Sequence, residues 1–259
     1  MDYLPIFLNL KDKLCLVVGG GEVAARKAET LLRAGGRVTI LAPTISTTIS
    51  EMASSGQIEL QLKTFSAEDL SPFELVIAAT NDSTINRCVS EAAQRQKLPV
   101  NVVDCPELCS FIFPAIVDRS PVVVAVSSGG ASPVLTRLLK VRLESWIHPA
   151  YGPLARLAEQ FRSRVKQAIG NAERRRSFWE NHLQGTFSEL IFSGQNKAAA
   201  ELLEQALQAE TATQEPSSRG MVNLVGAGQM NHASGRGFLG SGFSLQGLFQ
   251  KLRGCFILS

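Results

Sequence analysis

Apolar and polar positions alternate along the first part of the chain in a pattern that predicts strands separated by helices. Short apolar runs predict buried strands at residues 13–18, 37–42, 58–62, 75–79 and 100–103. The stretches between them predict helices at residues 22–34, 44–54 and 82–96. Strands that alternate with helices indicate βαβ units, so residues 1–113 predict an α/β domain whose parallel sheet is covered on both faces.

The pattern changes beyond this domain. Residues 111–117 and 121–127 predict two strands joined by a turn at Asp118-Arg119-Ser120. A helix is predicted from Pro133 to Ile147, and three further helical stretches are predicted between Pro149 and Leu207. The predicted division is therefore an α/β domain, a β-rich and helical segment, a small helical domain, a polar linker and a glycine-rich tail, at residues 1–113, 114–148, 149–210, 211–220 and 221–259.

Composition excludes several classes of protein. Apolar residues make up 45% of the chain and charged residues 19%, as in soluble globular proteins. The net charge is +3. All 23 acidic residues lie at or before Glu215, and the charged residues after that position are all basic, so the excess of positive charge comes from the tail. The charge therefore indicates no nucleic-acid-binding face. The sequence shows neither a secretory signal nor an apolar run long enough to span a membrane, and its odd set of five cysteines fits a reduced, cytoplasmic setting.

A glycine-rich motif lies between the first predicted strand and the first predicted helix. Gly19-Gly20-Gly21-Glu22-Val23-Ala24 satisfies G-x-G-x-x-A, the fingerprint of a dinucleotide-binding turn. In that motif Gly19 forms the tight turn, Gly21 admits the pyrophosphate, and Ala24 allows close packing of helix and sheet. The motif predicts that residues 19–24 bind a dinucleotide; the alternative is a glycine turn without a ligand.

The end of the second strand bears on the choice of cofactor. It reads Ala42-Pro43-Thr44, without the acidic residue that usually binds the ribose 2′-hydroxyl of NAD. No arginine stands there to hold the 2′-phosphate of NADP, which favours NAD without deciding the matter. Pro43 and Thr44 are expected to line the adenosine side of the site.

Polar residues at the other strand ends are candidates for the reacting side, because ligands of parallel sheets bind outside the carboxyl ends of the strands. Thr80 and Asn81 are expected to contact the nicotinamide end of the cofactor; the alternative is that Asn81 or Asp82 only caps the next helix. Asn101 is a candidate substrate contact. The loop of Ser127, Ser128, Gly129 and Gly130 offers hydroxyl and N–H groups to substrate carboxylates, unless it is an ordinary loop with Ser132 as a helix cap.

Asp104 is the most informative carboxylate. It ends an apolar strand at the predicted cofactor edge, where it could accept a proton as hydride leaves a substrate, or contact a hard cation. The alternative is an aspartate that makes a turn before Pro106. The sequence shows neither a cluster of Cys and His with metal-ligand spacing nor an obvious histidine or lysine proton donor.

Several ordered motifs resemble the dehydrogenase and chelatase module of the siroheme synthase family. They are VVGGGEVAARK at 17–27, AATND at 78–82, NVVD at 101–104, DRSP at 118–121, VAVSSGGASPVL at 124–135 and RRRSFWE at 174–180. The resemblance implies a Rossmann-type domain, a dimerisation segment and a small helical domain in a homodimer. It also implies NAD-dependent oxidation of precorrin-2 to sirohydrochlorin, followed by insertion of Fe²⁺ to give siroheme, with Asp104 as the base and as a metal contact.

The tail shows only the beginning of a further resemblance. Met221–Gly228 (MVNLVGAG) is similar to the first strand of the methyltransferase that follows in this family, but the sequence after it departs from the family pattern. The expectation is that methyltransferase activity is lost. An alternative for the whole chain is a non-catalytic module that senses NAD(H), for which a carboxylate at Asp104 would be unnecessary.

Overall fold

The α/β part of the chain contains five short strands, β1 Leu14–Val18, β2 Arg37–Leu41, β3 Glu59–Gln61, β4 Leu75–Ala78 and β5 Val100–Val102. They form one parallel sheet in the order β3-β2-β1-β4-β5. In the register of the central strands, Val18 lies opposite Leu41 on one side and Ala78 on the other. The carboxyl ends of these strands are therefore level, so the residues that follow them meet at one edge of the sheet.

This structure is a computed structural model that describes residues 2–212 of the chain. Three helices cover the sheet: α1 Glu22–Arg33, α2 Thr47–Ser54 and α3 Ser83–Arg95. Successive strand residues point to opposite faces. Cys15 and Val17 belong to one core cluster with residues of α1 and α2, whereas Leu16 and Val18 belong to another with residues of α3. The predicted parallel sheet with helices on both faces is thus confirmed.

Two further strands form a separate two-stranded sheet, β6 Ala115–Arg119 and β7 Val122–Val126. The predicted turn at 118–120 was wrong, because Asp118 and Arg119 continue β6 and only Ser120 and Pro121 connect the strands. Arg119 is a polar residue that the strand accommodates, because its guanidinium donates hydrogen bonds to the carbonyl oxygens of Ile147 and Glu144. The polar residues Asp118 and Arg119 therefore belong to the end of β6 and not to a turn.

The remaining helices are α4 Pro133–Trp146, α5 Tyr151–Ala168, α6 Ala172–Leu183, α7 Thr186–Phe192 and α8 Asn196–Ala212. The prediction of three helical stretches after Pro149 was wrong, because there are four. Asn171 caps the N-terminus of α6 with its side chain, and Gly185 separates α6 from α7. Apolar residues of α5 to α8 form one core that includes Val165, Phe187 and Leu203.

The described chain divides into two compact units, residues 2–116 with 125–141 and residues 117–124 with 142–212. The division into five segments stays a prediction. Thr211 and Ala212, predicted to open a linker, are the last residues of α8. The rest of that linker and the strand predicted at Met221–Gly228 lie outside the described residues. None of the described helices is long and apolar enough to cross a membrane.

Candidate functional site

The turn after β1 is packed against the ends of both neighbouring strands. Gly19 has a φ of +136°, and a Cβ there would lie 2.2 Å from the carbonyl oxygen of Ala79. A Cβ on Gly20 would lie 1.8 Å from the carbonyl oxygen of Thr44. The carbonyl oxygen of Gly20 also accepts a hydrogen bond of 2.7 Å from the amide of Ser46. Only glycine fits at both positions, because either side chain would displace a backbone carbonyl.

Gly21 leaves the N-terminus of α1 open. It is the N-cap residue, it has no side chain to cap the helix, and a Cβ there would meet nothing within 4 Å. The first intrahelical bond of α1 runs from the amide of Ala25 to the carbonyl of Gly21, so the amides of Glu22, Val23 and Ala24 are those that the helix itself leaves without acceptors. Space beside free donors at the positive end of a helix suits a diphosphate.

The other predicted residues of this turn have distinct surroundings. Ala24 is fully buried against the sheet, as the fingerprint predicts for its last position. Glu22 accepts hydrogen bonds of 3.1 Å from the hydroxyl of Thr48, which directs its carboxylate towards α2. Pro43 and Thr44 are exposed beyond the end of β2. Their side chains therefore border the open space at the carboxyl edge.

At the end of β4, Asp82 is the residue that caps the N-terminus of α3. Its carboxylate accepts from the amides of Thr84 at 2.8 Å and Ile85 at 3.2 Å, at the start of α3. The hydroxyl of Thr80 donates to Asn86 Oδ1 at 2.8 Å, so it holds the turn together. Asn81 is exposed beside them and does not cap the helix. Of the predicted pair, Asn81 has the side chain that is available to a ligand.

The residues after β5 are arranged so that Asp104 is exposed at the same edge. Asp104 has a left-handed backbone with a φ of +58°, a conformation that aspartate tolerates better than most residues. Asn101 is only 7% exposed, and its Nδ2 donates to the carbonyl oxygen of Phe111 at 3.0 Å. Asn101 therefore anchors the following loop, and its predicted contact with substrate gains no support from this position.

Cys109 fixes the same loop from the other side. Its Sγ accepts from the amide of Val102 at 3.1 Å, and burial raises the pKa of its thiol. A thiol that stays protonated near neutral pH is a weak nucleophile and a weak metal ligand. Cys109 therefore acts as a structural residue that holds the loop carrying Asp104.

Lys27 is a site residue that the sequence analysis missed. It is half-buried on α1, and its Nζ lies 4.2 Å from the centroid of the Phe113 ring. Burial lowers the pKa of Lys27, and the nearby carboxylate of Asp104 opposes that change. The signal that could have found it is spacing, because Lys27 falls three residues after Ala24 and four before Leu31 on the apolar face of the helix. The expectation that no histidine or lysine is placed as a proton donor stays a prediction.

The loop before α4 is largely occupied with its own hydrogen bonds. The hydroxyl of Ser127 accepts from the amide of Gly129 at 3.0 Å. Ser128 Oγ accepts from the amide of Ser132 at 3.0 Å and from the hydroxyl of Thr136 at 3.1 Å. Ser132 Oγ in turn accepts from the amide of Leu135 at 3.2 Å, so Ser132 has the predicted capping role.

The glycines of this loop complete its geometry. Gly129 and Gly130 are exposed and have φ values of +64° and +90°. Both are left-handed conformations that glycine adopts without strain. The amide of Gly129 is occupied by Ser127 Oγ, so Gly130 has the loop amide that is open to a ligand.

No group of three His, Cys, Asp or Glu side chains that could hold a metal ion occurs within residues 2–212. His148 and His182 are engaged locally, through the amide of Ala150 and the carbonyl of Phe178 respectively. Asp104 thus remains the single predicted metal contact at the carboxyl edge.

Two family models match the chain. One, described as putative NAD(P)-binding, covers residues 6–115, and the other, described as the sirohaem synthase dimerisation region, covers residues 150–207. The second falls on the segment predicted to be the small helical domain, so the assignment of dimerisation to residues 114–148 stays a prediction.

Curated relatives and a solved structure agree with these matches. The siroheme synthases of Nitrosospira multiformis and Methylococcus capsulatus are each 54% identical, over 232 and 228 residues, or 88% of this chain and 48% of the relative. The chain therefore spans about half the length of these relatives. A structure of SirC, a precorrin-2 dehydrogenase, is 26% identical with a TM-score of 0.65, and the match covers 80% of this chain and all of that one.

The packing around the turn predicts different effects for two neighbouring glycines. We expect Gly20→Ala to lower the free energy of unfolding by about 2 kcal/mol or more, because its Cβ must displace the carbonyl of Thr44. Gly21→Ala is the matched control and should leave stability within about 0.5 kcal/mol, since its Cβ enters open space. Urea unfolding followed by circular dichroism measures both, and equal effects of the two substitutions would contradict the packing described here.

Proposed function

The chain is a homologue of the siroheme synthases over most of its length, and on that premise we propose that it oxidises precorrin-2 to sirohydrochlorin with NAD⁺. The observation that carries the proposal is the shared edge of the sheet. The open N-terminus of α1 and the exposed carboxylate of Asp104 both follow strands whose carboxyl ends meet there. The SirC match, which covers that precorrin-2 dehydrogenase completely, supports the same activity.

In the proposed enzyme, the first turn of α1 binds the cofactor. The amides of Glu22, Val23 and Ala24 donate to the diphosphate, and the absence of a side chain at Gly21 lets it approach. Pro43 and Thr44 border the adenosine side, and Thr80 and Asn81 border the nicotinamide side. When bound, NAD⁺ supplies the acceptor for hydride.

Asp104 is the proposed proton acceptor. Dehydrogenation removes a hydride and a proton from the tetrapyrrole, and a carboxylate at the reacting edge can take the proton. The left-handed backbone of Asp104 turns the chain at the end of β5, so that its side chain stands in the exposed part of the loop. The backbone amide of Gly130 and the hydroxyl proton of Ser127 are the proposed substrate contacts in the loop before α4, whereas Gly129, Ser128 and Asn101 hold the surrounding backbone in place.

We also propose that the chain inserts Fe²⁺ into sirohydrochlorin, as the name siroheme synthase of its relatives implies. Iron is a substrate here, and the macrocycle nitrogens are its main ligands. Asp104 then accepts the protons that the nitrogens release, or contacts the incoming ion. Within residues 2–212 no group of three metal-binding side chains surrounds Asp104, which suits a transient contact with the ion.

A homodimer is the proposed assembly. Helix α4 has no buried residue in the single chain, and it exposes a row of large apolar side chains, Val134, Leu135, Leu138, Val141 and Trp146. A contiguous apolar surface of this kind marks an interaction site. The family model for the dimerisation region supports a second copy of the chain as the partner.

The proposed activity is tested by anaerobic conversion of precorrin-2 with NAD⁺, followed through NADH and sirohydrochlorin absorbance together. We expect wild type to form both in step, and Asp104→Asn to lower kcat/KM by about 10²-fold or more, the usual contribution of a general base. Asparagine also tolerates the left-handed backbone, so the loop should fold normally. Glu107→Gln is the control, because it removes a carboxylate from the same loop without affecting the proposed base.

The same experiment separates an enzyme from a module that senses NAD(H). A wild-type chain that binds NAD⁺ but forms neither product would favour the sensing module. Equal rates for wild type and Asp104→Asn would remove Asp104 from the mechanism while leaving the dehydrogenase in place.

A substitution at the open N-terminus of α1 should weaken cofactor binding without lowering the stability of the fold. We expect Gly21→Asp to hold or raise the free energy of unfolding, because aspartate is a favourable N-cap residue. The same carboxylate occupies the amides and repels the diphosphate, so the Kd for NAD⁺ should rise at least tenfold. Isothermal titration and urea unfolding measure the two effects. Asn171→Asp, a cap-preserving change of the same charge at α6, should alter neither, and unchanged NAD⁺ binding by Gly21→Asp would place the cofactor elsewhere.

The exposed face of α4 predicts that a charge there prevents dimerisation. Leu138 is 53% exposed in the single chain, and we expect Leu138→Glu to sediment as a monomer while wild type sediments as a dimer. Leu62→Glu is the control, since Leu62 is 65% exposed and lies outside α4. Analytical ultracentrifugation distinguishes the species, and a dimeric Leu138→Glu variant would show that α4 is not the interface.

A further inference from the structure

Lys27 occupies a position on α1 where a charged residue needs an explanation. The helix packs on the sheet through Ala24, Ala28 and Leu31, which are all fully buried. Lys27 falls on the same stripe by its spacing, and it is half-buried. A lysine on an apolar stripe loses part of the hydration of its ammonium group, which disfavours the charged form. A charge in such a position lowers the stability of the fold unless another group interacts with it.

The described residues provide only part of that interaction. The Nζ of Lys27 lies 4.2 Å from the centroid of Phe113, whose ring packs edge-to-face on Phe111 at 5.3 Å between centroids. This cation–π contact fixes the direction of the side chain. Within residues 2–212, Lys27 makes no ion pair, whereas Lys13 pairs with Glu74 at 2.9 Å. Its charge therefore lacks a carboxylate at salt-bridge distance.

The charge is nonetheless influenced by a residue of the reacting edge. The carboxylate of Asp104, in the loop after β5, favours the charged form of Lys27. Lys27 lies three residues beyond Ala24 and five beyond Glu22, about 4.5 to 7.5 Å along the helix axis. That distance separates its backbone from the amides proposed to hold the cofactor diphosphate. The contact of the ammonium group with Phe113, which follows the loop that carries Asp104, favours a role on the substrate side.

Given the proposed function, on which this inference rests, we propose that Lys27 binds a carboxylate of the tetrapyrrole beside Asp104. Precorrin-2 and sirohydrochlorin carry acetate and propionate groups around the ring, and one of them would supply the missing anion. A charge-assisted hydrogen bond in a partly buried place is stronger than the same pair in water. Lys27 would then orient the macrocycle while Asp104 acts on the reacting carbon.

The test measures binding without turnover. Sirohydrochlorin is titrated anaerobically with the full chain in the absence of NAD⁺, and its Kd is read from the fluorescence of the macrocycle. We expect Lys27→Met to weaken binding about tenfold, because it keeps the stem on Phe113 but removes the charge. Lys27→Arg should bind within about threefold of wild type, since it restores a cationic donor. The difference between wild type and Lys27→Met should shrink at high salt.

Two controls separate a binding role from a structural one. Arg33→Met removes a positive charge from the exposed end of the same helix and should not change the Kd for sirohydrochlorin. The Kd for NAD⁺ should be the same in wild type and Lys27→Met. Thermal unfolding checks that the variants fold; if Met at position 27 proves destabilising, Lys27→Gln replaces it with the same expected loss.

The outcomes distinguish this inference from the function beneath it. Equal sirohydrochlorin affinity of wild type and Lys27→Met would overturn the role of Lys27 and leave the dehydrogenase intact. Weaker NAD⁺ binding with unchanged sirohydrochlorin binding would also overturn it, because the anion would then be the cofactor diphosphate. A wild-type chain that neither binds nor forms sirohydrochlorin would remove the proposed function itself.

Discussion

The close approach of three strand ends around the first glycine turn is the constraint on which the site depends. Gly19 lies against the carbonyl of Ala79, and Gly20 lies against the carbonyl of Thr44. Because glycine has no Cβ, the end of β1 can pack this closely between the ends of β2 and β4. This packing places the N-terminus of α1 at the edge of the sheet. Its free amides then face open space instead of a neighbouring strand.

The strands with a clear hydrophobic pattern could be predicted from the sequence. The predictions that failed did so because of single local features. Alternating apolar runs predicted the five-stranded sheet within one or two residues at each end. The turn proposed at Asp118-Arg119-Ser120 failed because Arg119 finds backbone acceptors inside a strand. Three helices were predicted after Pro149, without bounds, and the short helix α7, which begins after Gly185, brings the number to four. Neither effect appears in the local hydrophobic pattern.

Within the site, sequence could identify which residues stand at strand ends but not what their side chains contact. Asn101 and Ser128 were reasonable candidates for substrate, yet their polar atoms bind the carbonyl of Phe111 and the backbone of Ser132. Lys27 was missed for the opposite reason, since a lysine inside a helix usually lies on its solvated face. Only the tertiary arrangement of α1 and the loop after β5 brings its charge near Asp104.

The sparse metal-binding chemistry of the described residues is consistent with the proposed order of steps. A protein that transfers iron to a macrocycle must release it, and three or four strong ligands would compete with the ring nitrogens for the ion. In the proposed site, Asp104 offers one hard oxygen that contacts Fe²⁺ briefly or takes a proton. Both proposed reactions remove protons from the same substrate, so one exposed carboxylate can serve each in turn. A nearby ammonium that binds the periphery of the ring would then hold the macrocycle against that carboxylate without occupying its centre.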